Sequence, residues 1–332
     1  MKLIVTVDTE ADNQWAYDGR IFLENLQCLP RFQALCEKHE FVPTYLLACE
    51  VLEDKTFVVR LNQWRRSGRA EVGAHLQPWT TPPYMAEEER DRAMQTFPSE
   101  LPASLFARKL SNLTERIGDA TGESPRSFRA ARWGLNGSMV RALAEKGYIV
   151  DCSVTPKISW KDQRGMTGGT GGPDYRRAPL GPFELSTEDV CCPGRSGLLE
   201  VPVTVIYTGS LIRERGCLSK GFARLPEGPV KEVLDRLVFG RKWLRISRES
   251  RTGDWEKIHD AAVRNGLDVL EFMIHSSELM AGGSPLSRNA DDVEFIYARL
   301  EEMFCCLKAR GVTGCTLSQY ASNPMKRVAG AV

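Results

Sequence analysis

From one end to the other, the chain alternates short runs of β-prone apolar residues with longer stretches of helical periodicity, and this alternation restricts its fold more than any other feature. Runs at 2–8, 43–48, 70–74, 127–131, 148–151, 198–203, 269–274 and 312–317 read as strands. Stretches at 21–39, 51–66, 104–120, 138–146, 255–265 and 290–310 read as helices, with Pro30 expected to interrupt the first and Asn136 to cap the fourth. Strands that alternate with helices pair in parallel, because each return to the same sheet edge needs a long crossover. The opening MKLIVTVD is almost continuously apolar, as a strand covered on both faces must be. The expected fold class is therefore α/β, a distorted (β/α) barrel of about seven parallel strands. No internal repeat or linker divides the 332 residues, so a single domain over 1–332 is expected. Its one break in rhythm is a Gly/Pro-rich loop or lid insertion at about 156–193, too long for an ordinary connection. Within it, GMTGGTGGP at 165–173 lacks the GKS or GKT of a phosphate loop, so a flexible cover is the better reading than a phosphate cradle.

Charge excludes some partners. Lys and Arg number 44 against 43 Asp and Glu, so the net charge of +1 offers no whole-molecule attraction to nucleic acid or to an anionic membrane. No run approaches the roughly 18 apolar residues of a membrane span, and the chain opens on a strand rather than a basic-then-apolar leader, so a cytoplasmic location is expected. Ten cysteines occur without a CxxC pair, and neighbours such as Cys191–Cys192 and Cys305–Cys306 point their Cβ atoms apart, so reduced thiols are expected. Oligomeric state has no signature in this sequence.

Ligands of parallel α/β folds gather at the carboxyl ends of the strands, and here those ends are unusual. The first closes in Asp8-Thr9-Glu10-Ala11-Asp12, the third runs into His75-Leu76-Gln77-Pro78-Trp79, the next ends in Phe128-Arg129-Ala130-Ala131-Arg132-Trp133, and the one near 270 ends in His275-Ser276. Carboxylates and imidazoles that converge suit a divalent metal together with an acid–base pair. Each residue taken singly also has an ordinary reading: Asp8 as a turn or cap, Glu10 and Asp12 as solvated charges, His75 and His275 as satisfied polar groups. Arg129 or Arg132 could hold a buried carboxylate ionised. His39 and His259 fall in helices with no acidic partner evident and read as structural. The basic 241–251 segment reads as a solvated helix face, while Trp79, Trp133 and Trp160 could offer flat stacking surfaces near the mouth of the site. No G-x-S-x-G is present, which removes a nucleophile-elbow hydrolase.

Together these segments resemble the polysaccharide deacetylase superfamily, carbohydrate esterase family 4 with the nodulation-type fold, and most closely its cytoplasmic WalW-like branch. Thr6-Val7-Asp8-Thr9-Glu10 looks like the first motif, T-F-D-D-x, and 71–79 stands where the family has H-[ST]-x-x-H. Phe128-Arg129 looks like the start of the arginine-containing third motif, 270–275 like the last, and GGPDYRRAP at 171–179 like the WalW-like branch. The resemblance implies hydrolysis of an acetyl or other acyl group from an amino sugar or related small amide, so the partner is a small-molecule or oligosaccharide substrate. Asp8 would be the base, His275 the acid and Arg129 the residue keeping Asp8 ionised. A divalent metal, zinc first, would sit on His75 and Glu10, and Arg132, Trp133 and Trp79 would contact substrate. Two departures bear on that site. Thr9 replaces the family's second Asp, Trp79 its second His, and Gln77 offers only an amide oxygen, which leaves Glu10 as the substitute carboxylate and Asp12 as a further candidate. They motivate two rival readings: a catalytically degenerate relative that binds a glycan, and a metal-free amidohydrolase.

Overall fold

The molecule is built on a curled, mostly parallel sheet that makes a half-barrel. The computed structural model describes residues 1–16, 19–84, 95–209, 212, 216, 218, 221–222, 228 and 233–323. Its strands are β1 (Lys2–Thr9), β2 (Pro43–Leu47), β3 (Glu71–Leu76), β4 (Ser127–Ala130), β5 (Val150–Asp151), β6 (Phe183–Glu184), β7 (Leu199–Glu200), β8 (Val205–Tyr207), β9 (Arg241–Trp243), β10 (Val269–His275) and β11 (Thr313–Gly314). Spatial order is β10-β1-β2-β3-β4-β5-β7-β6, with β11 also paired to β1. The seven strands from β10 to β7 run parallel, matching the expected number, and β6 closes the edge antiparallel.

Helices α1 (Leu29–Lys38), α2 (Lys55–Arg66), α3 (Ala103–Thr121), α4 (Gly137–Glu145), α5 (Asp254–Arg264), α6 (Ala290–Ala309) and α7 (Leu317–Ala321) are described. Their apolar faces, through residues such as Phe32, Phe57, Leu110, Ile117, Ile258 and Phe304, join Val5, Val7, Leu47 and Phe128 in one core. The other side of the sheet is layered along β1 at the two-residue period of a strand. Ile4 packs in a smaller apolar cluster with Leu46, Val150 and Val201, Thr6 hydrogen-bonds Glu271, and Asp8 meets Arg129.

Several boundaries differ from the sequence reading. Helix α1 starts only at Leu29 after a 3-10 turn over Glu24–Cys28, and Pro30 stands in its first turn, where a missing N–H costs nothing. The 51–66 stretch is a 3-10 turn over Cys49–Glu53 and then α2, whose start is capped by the Asp54 carboxylate accepting from the Phe57 N–H. Asn136 caps α4 as expected, accepting from the Met139 N–H. The 198–203 run keeps only the two residues of β7, and the 312–317 run yields β11 followed by α7, capped by Thr316. The 241–251 segment is not a helix face. It opens with β9, antiparallel to β8, and buries Leu244 and Ile246 two residues apart, a spacing that suits extended chain. His39 and His259 do have acidic neighbours, Glu301 at 3.1 Å and Asp260 at 3.3 Å. The nine described cysteines are free thiols; Cys217 lies outside the described residues.

The long 156–193 segment folds on itself at two isolated bridges, Ser159 with Asp174 and Leu185 with Pro193, and is tied to the sheet through β6. Its glycines do form a cradle, and the anion in it belongs to the protein. The backbone N–H groups of Met166 and Gly171 donate to the Glu100 carboxylate at 2.8 and 3.0 Å, and a Cβ added at Gly165 or Gly169 would stand 2.3 or 2.2 Å from the same group.

The sheet itself has one tight point. A Cβ at Gly73 of β3 would lie 2.4 Å from Ser127 Oγ and 2.8 Å from the Ser127 carbonyl oxygen. Gly73→Ala should therefore lower the unfolding free energy by about 1–3 kcal/mol through overpacking. Urea titration is the check, and an unchanged midpoint would show that β3 and β4 can separate at no cost.

Candidate active site

Strand register places the first four residues. In the β1–β10 ladder Asp8 stands opposite His275, and in the β3–β4 ladder His75 stands opposite Arg129, so four residues spread over most of the chain reach one edge of the sheet. Arg129 is fully buried. Its Nη1 donates to Asp8 Oδ1 and its Nη2 to Glu271 Oε1, both at 2.6 Å, and its Nε donates to the Cys152 carbonyl at 3.0 Å. Burial works against charge on Asp8, but Arg129, with His75 and His275, prevails and holds the carboxyl below its ordinary range. Glu271 goes the other way: burial pushes it up, Arg129 and Thr6 only partly offset this, and its Oε2 has no hydrogen-bond partner. Asp8 thus keeps Oδ1 locked and turns Oδ2 toward His275 Nε2, 3.8 Å away.

On the other flank, His75 Nε2 lies 3.7 Å from Glu10 Oε2, and both side chains are buried. That oxygen also accepts from the Gln77 amide, whose own oxygen is turned to the Thr80 hydroxyl. Thr9 is folded back, its hydroxyl donating to the Val7 carbonyl, and the Trp79 indole N–H donates to Gln14. Asp12 is not part of this group: its carboxylate accepts from the backbone N–H groups of Glu24 and Asn25 and shapes the 3-10 turn before α1. For a divalent ion the fit is a two-point seat. An N···O separation of 3.7 Å is one that a single ion can span between two ligands, and the donors are a buried imidazole and a buried carboxylate, both of which zinc accepts.

His275 carries surroundings that sequence reading missed. Its Nδ1 is 3.2 Å from Arg245 Nη2 and 3.6 Å from Glu278 Oε1, and Arg245 and Glu278 pair at 2.5 Å. A neutral ring accepts from Arg245, whereas a protonated ring has Glu278 as its partner. Trp15 sets its edge against the imidazole with ring centroids 4.9 Å apart. Arg245 was hidden because its segment carries no strand-end signal; Glu278, three residues past His275, was legible as a capping-box acid, and its carboxylate does accept the His275 backbone N–H.

These groups open into a cavity of about 280 Å³ lined by Asp8, Glu10, His75, His275, Arg132 and Arg245 and walled by Trp15, Trp79, Trp133, Trp160 and Phe97. Trp133 stacks on Trp160 and tilts against Trp243. Arg132, the other arginine candidate for holding a buried carboxylate, instead lies over the Phe97 ring at 4.0 Å and donates to the Gln95 carbonyl. Both Arg132 and Trp133 adopt left-handed backbone, with φ of 54° and 64°.

Comparison with solved structures places this architecture. A protein assigned as a polysaccharide deacetylase from Mycobacterium smegmatis superposes with a TM-score of 0.51 at 14% identity, over 98% of this chain and 91% of the other. This chain shares its fold. A GH57 branching enzyme from Thermococcus kodakaraensis matches at 0.52 and 12% identity over 97% of this chain and 71% of the other. A 4-alpha-glucanotransferase from Thermococcus litoralis matches at 0.50 and 13% identity, over 97% and 41%. No protein-family model and no curated protein matches the chain. No helix among the described residues is long and apolar enough to cross a membrane.

Glu278 gives the site a measurable pH signature. Burial opposes its charge, yet Arg245 and His275 hold it down at about 2, below the ordinary 4.5. A carboxyl depressed on folding stabilises above its unfolded pKa and loses that contribution as pH falls through the folded one. Glu278→Gln should thus cost ~3 kcal/mol of stability at neutral pH. The deficit should shrink between pH 4.5 and 2, and urea midpoints at both ends of that window check it.

Proposed function

We propose that this cavity hydrolyses an N-acyl group, an acetyl first, from an amino sugar or a short oligosaccharide, as a member of the polysaccharide deacetylase superfamily. The observation that carries the reading is the Asp8 carboxylate, fixed through Oδ1 by Arg129 and open through Oδ2 to His275 across an aromatic-walled cavity. The WalW-like assignment rests on the 171–179 stretch, and the cytoplasmic location and single domain on the sequence features given above.

Each residue then has a distinct task. Asp8 Oδ2, ionised because Arg129 stands beside it, takes the proton of the attacking water. Protonated His275 gives its Nε2 proton to the departing amine, with Glu278 supporting the imidazolium at Nδ1. His75 and Glu10 hold a divalent ion, zinc first, which when bound supplies polarisation of the acyl oxygen. Trp79, Trp133 and Arg132 face the sugar, the indoles excluding water and offering flat surfaces to ring C–H groups.

One observation favours a second reading, in which the cavity binds a glycan without turnover. The Gln77 amide already occupies the Glu10 oxygen that a metal would need, and Thr9 is turned away. Acyl release from N-acetylated glucosamine oligomers, measured with added Zn²⁺, Co²⁺ or Mn²⁺, separates the two. Asp8→Asn is expected to abolish turnover while leaving metal affinity near wild type. Gln77→His, by adding an imidazole beside Glu10, should tighten metal binding about tenfold or more by calorimetry. A wild-type protein that binds these oligomers yet releases no acetate with any of the three ions would establish the second reading; one that neither binds nor cleaves them would overturn both.

A further inference from the structure

A second group of metal-ligating side chains lies at the other end of the sheet. His39 closes α1 just before β2 begins, so it stands on the amino-end side, opposite the edge that carries Asp8 and His275. Facing it on α6 are Glu301 and Cys305, four residues apart and hence on one helix face. The three donor atoms all lie within 4.8 Å of one another. His39 Nε2 is 3.1 Å from Glu301 Oε1, and Cys305 Sγ is 3.8 Å from the same oxygen. Donors bound about 2.0–2.3 Å from a tetrahedral zinc stand about 3.3–3.6 Å apart, so little movement is needed to close this set around an ion. The imidazole is buried and packed edge-on against Phe304 with centroids 5.7 Å apart, which fixes its direction; the thiol is exposed, which leaves the fourth position to water.

We infer that His39, Glu301 and Cys305 form a site for a thiophilic divalent cation of the zinc class, clamping the end of α1 to α6 independently of the catalytic cavity. Binding replaces the proton of the Cys305 thiol and displaces Lys38, whose Nζ lies 2.6 Å from Glu301 Oε1. Among the described residues no cysteine lines the catalytic cavity, which gives the test a signal distinct from that of an ion on His75 and Glu10.

Titration of the full chain with Co²⁺ is expected to develop a saturable thiolate-to-cobalt charge-transfer band with one thiolate per chain. Cys305→Ser should abolish the band while leaving the fold intact by circular dichroism, and His39→Ala should weaken binding about tenfold or more. Lys38→Met should tighten it, since a competing cation is removed; a merely structural role for the cluster predicts no such gain. His75→Ala should leave the band untouched. Absence of a saturable band in the wild type, or a band that survives Cys305→Ser, overturns the proposal without touching the deacetylase reading. In turn, metal binding to the catalytic cavity is cleanly measured in the Cys305→Ser background.

Discussion

Arg129 between Asp8 and Glu271 is the interaction on which the rest of the structure turns. One guanidinium pairs with two carboxyl groups inside the half-barrel, all three groups being almost wholly out of contact with solvent. Desolvating such charges costs several kcal/mol each, and the attraction offsets this only where geometry is good and other hydrogen bonds are made. Both conditions hold, with two 2.6 Å contacts, a third donation to the Cys152 carbonyl, and a Thr6 hydroxyl at 2.5 Å on Glu271. Loss of the guanidinium would leave two buried carboxylates facing each other, and protonation would be their natural refuge. The same contact therefore permits polar groups to line the half-barrel and keeps one of them able to accept a proton. The two acids are separated by their other neighbours, since His75 and His275 help to keep Asp8 ionised while burial prevails at Glu271.

The shared fold does not select the chemistry, since its solved examples include a protein assigned as a deacetylase as well as a branching enzyme and a glucanotransferase. What distinguishes this chain is how the polar side chains around Asp8 and His75 are held. Thr9 and Trp79 do not leave loose ends; one bonds to its own strand, the other to Gln14. Glu10 is retained by Gln77 and by proximity to His75. Each of these side chains therefore has a partner within the protein.

Much of this was legible in the sequence because it rests on local patterns. The apolar runs of β1, β2 and β10 and the periodicity of α3 and α6 reported elements whose burial matches their pattern. Asp8, His75, Arg129 and His275 were readable as a group because parallel strands present their carboxyl ends to one edge. Other short pairings were not: β6 holds two residues and β8 and β9 three each, fewer than any alternation can reveal. The misreading of 241–251 has a similar cause, since charge dominates its composition while Leu244 and Ile246 alone mark its buried face. Arg245 and the partnership of His39 with α6 depend on contacts between distant segments, which no local window contains. Glu100 in the glycine cradle belongs with them: the loop looked ready for an external anion, and the occupant came from another part of the chain.

The turn after β4 has a consequence for what the cavity admits. Arg132 and Trp133, consecutive non-glycine residues with positive φ, each carry strain of order 1 kcal/mol, which glycine would relieve at the loss of the side chain. Trp133 is further fixed by its stack on Trp160, and Arg132 by its place over Phe97. A wall set by backbone conformation and ring packing does not yield by rotamer change. On this side the outline of the cavity is thus set by the chain's own course, before any side chain rotates.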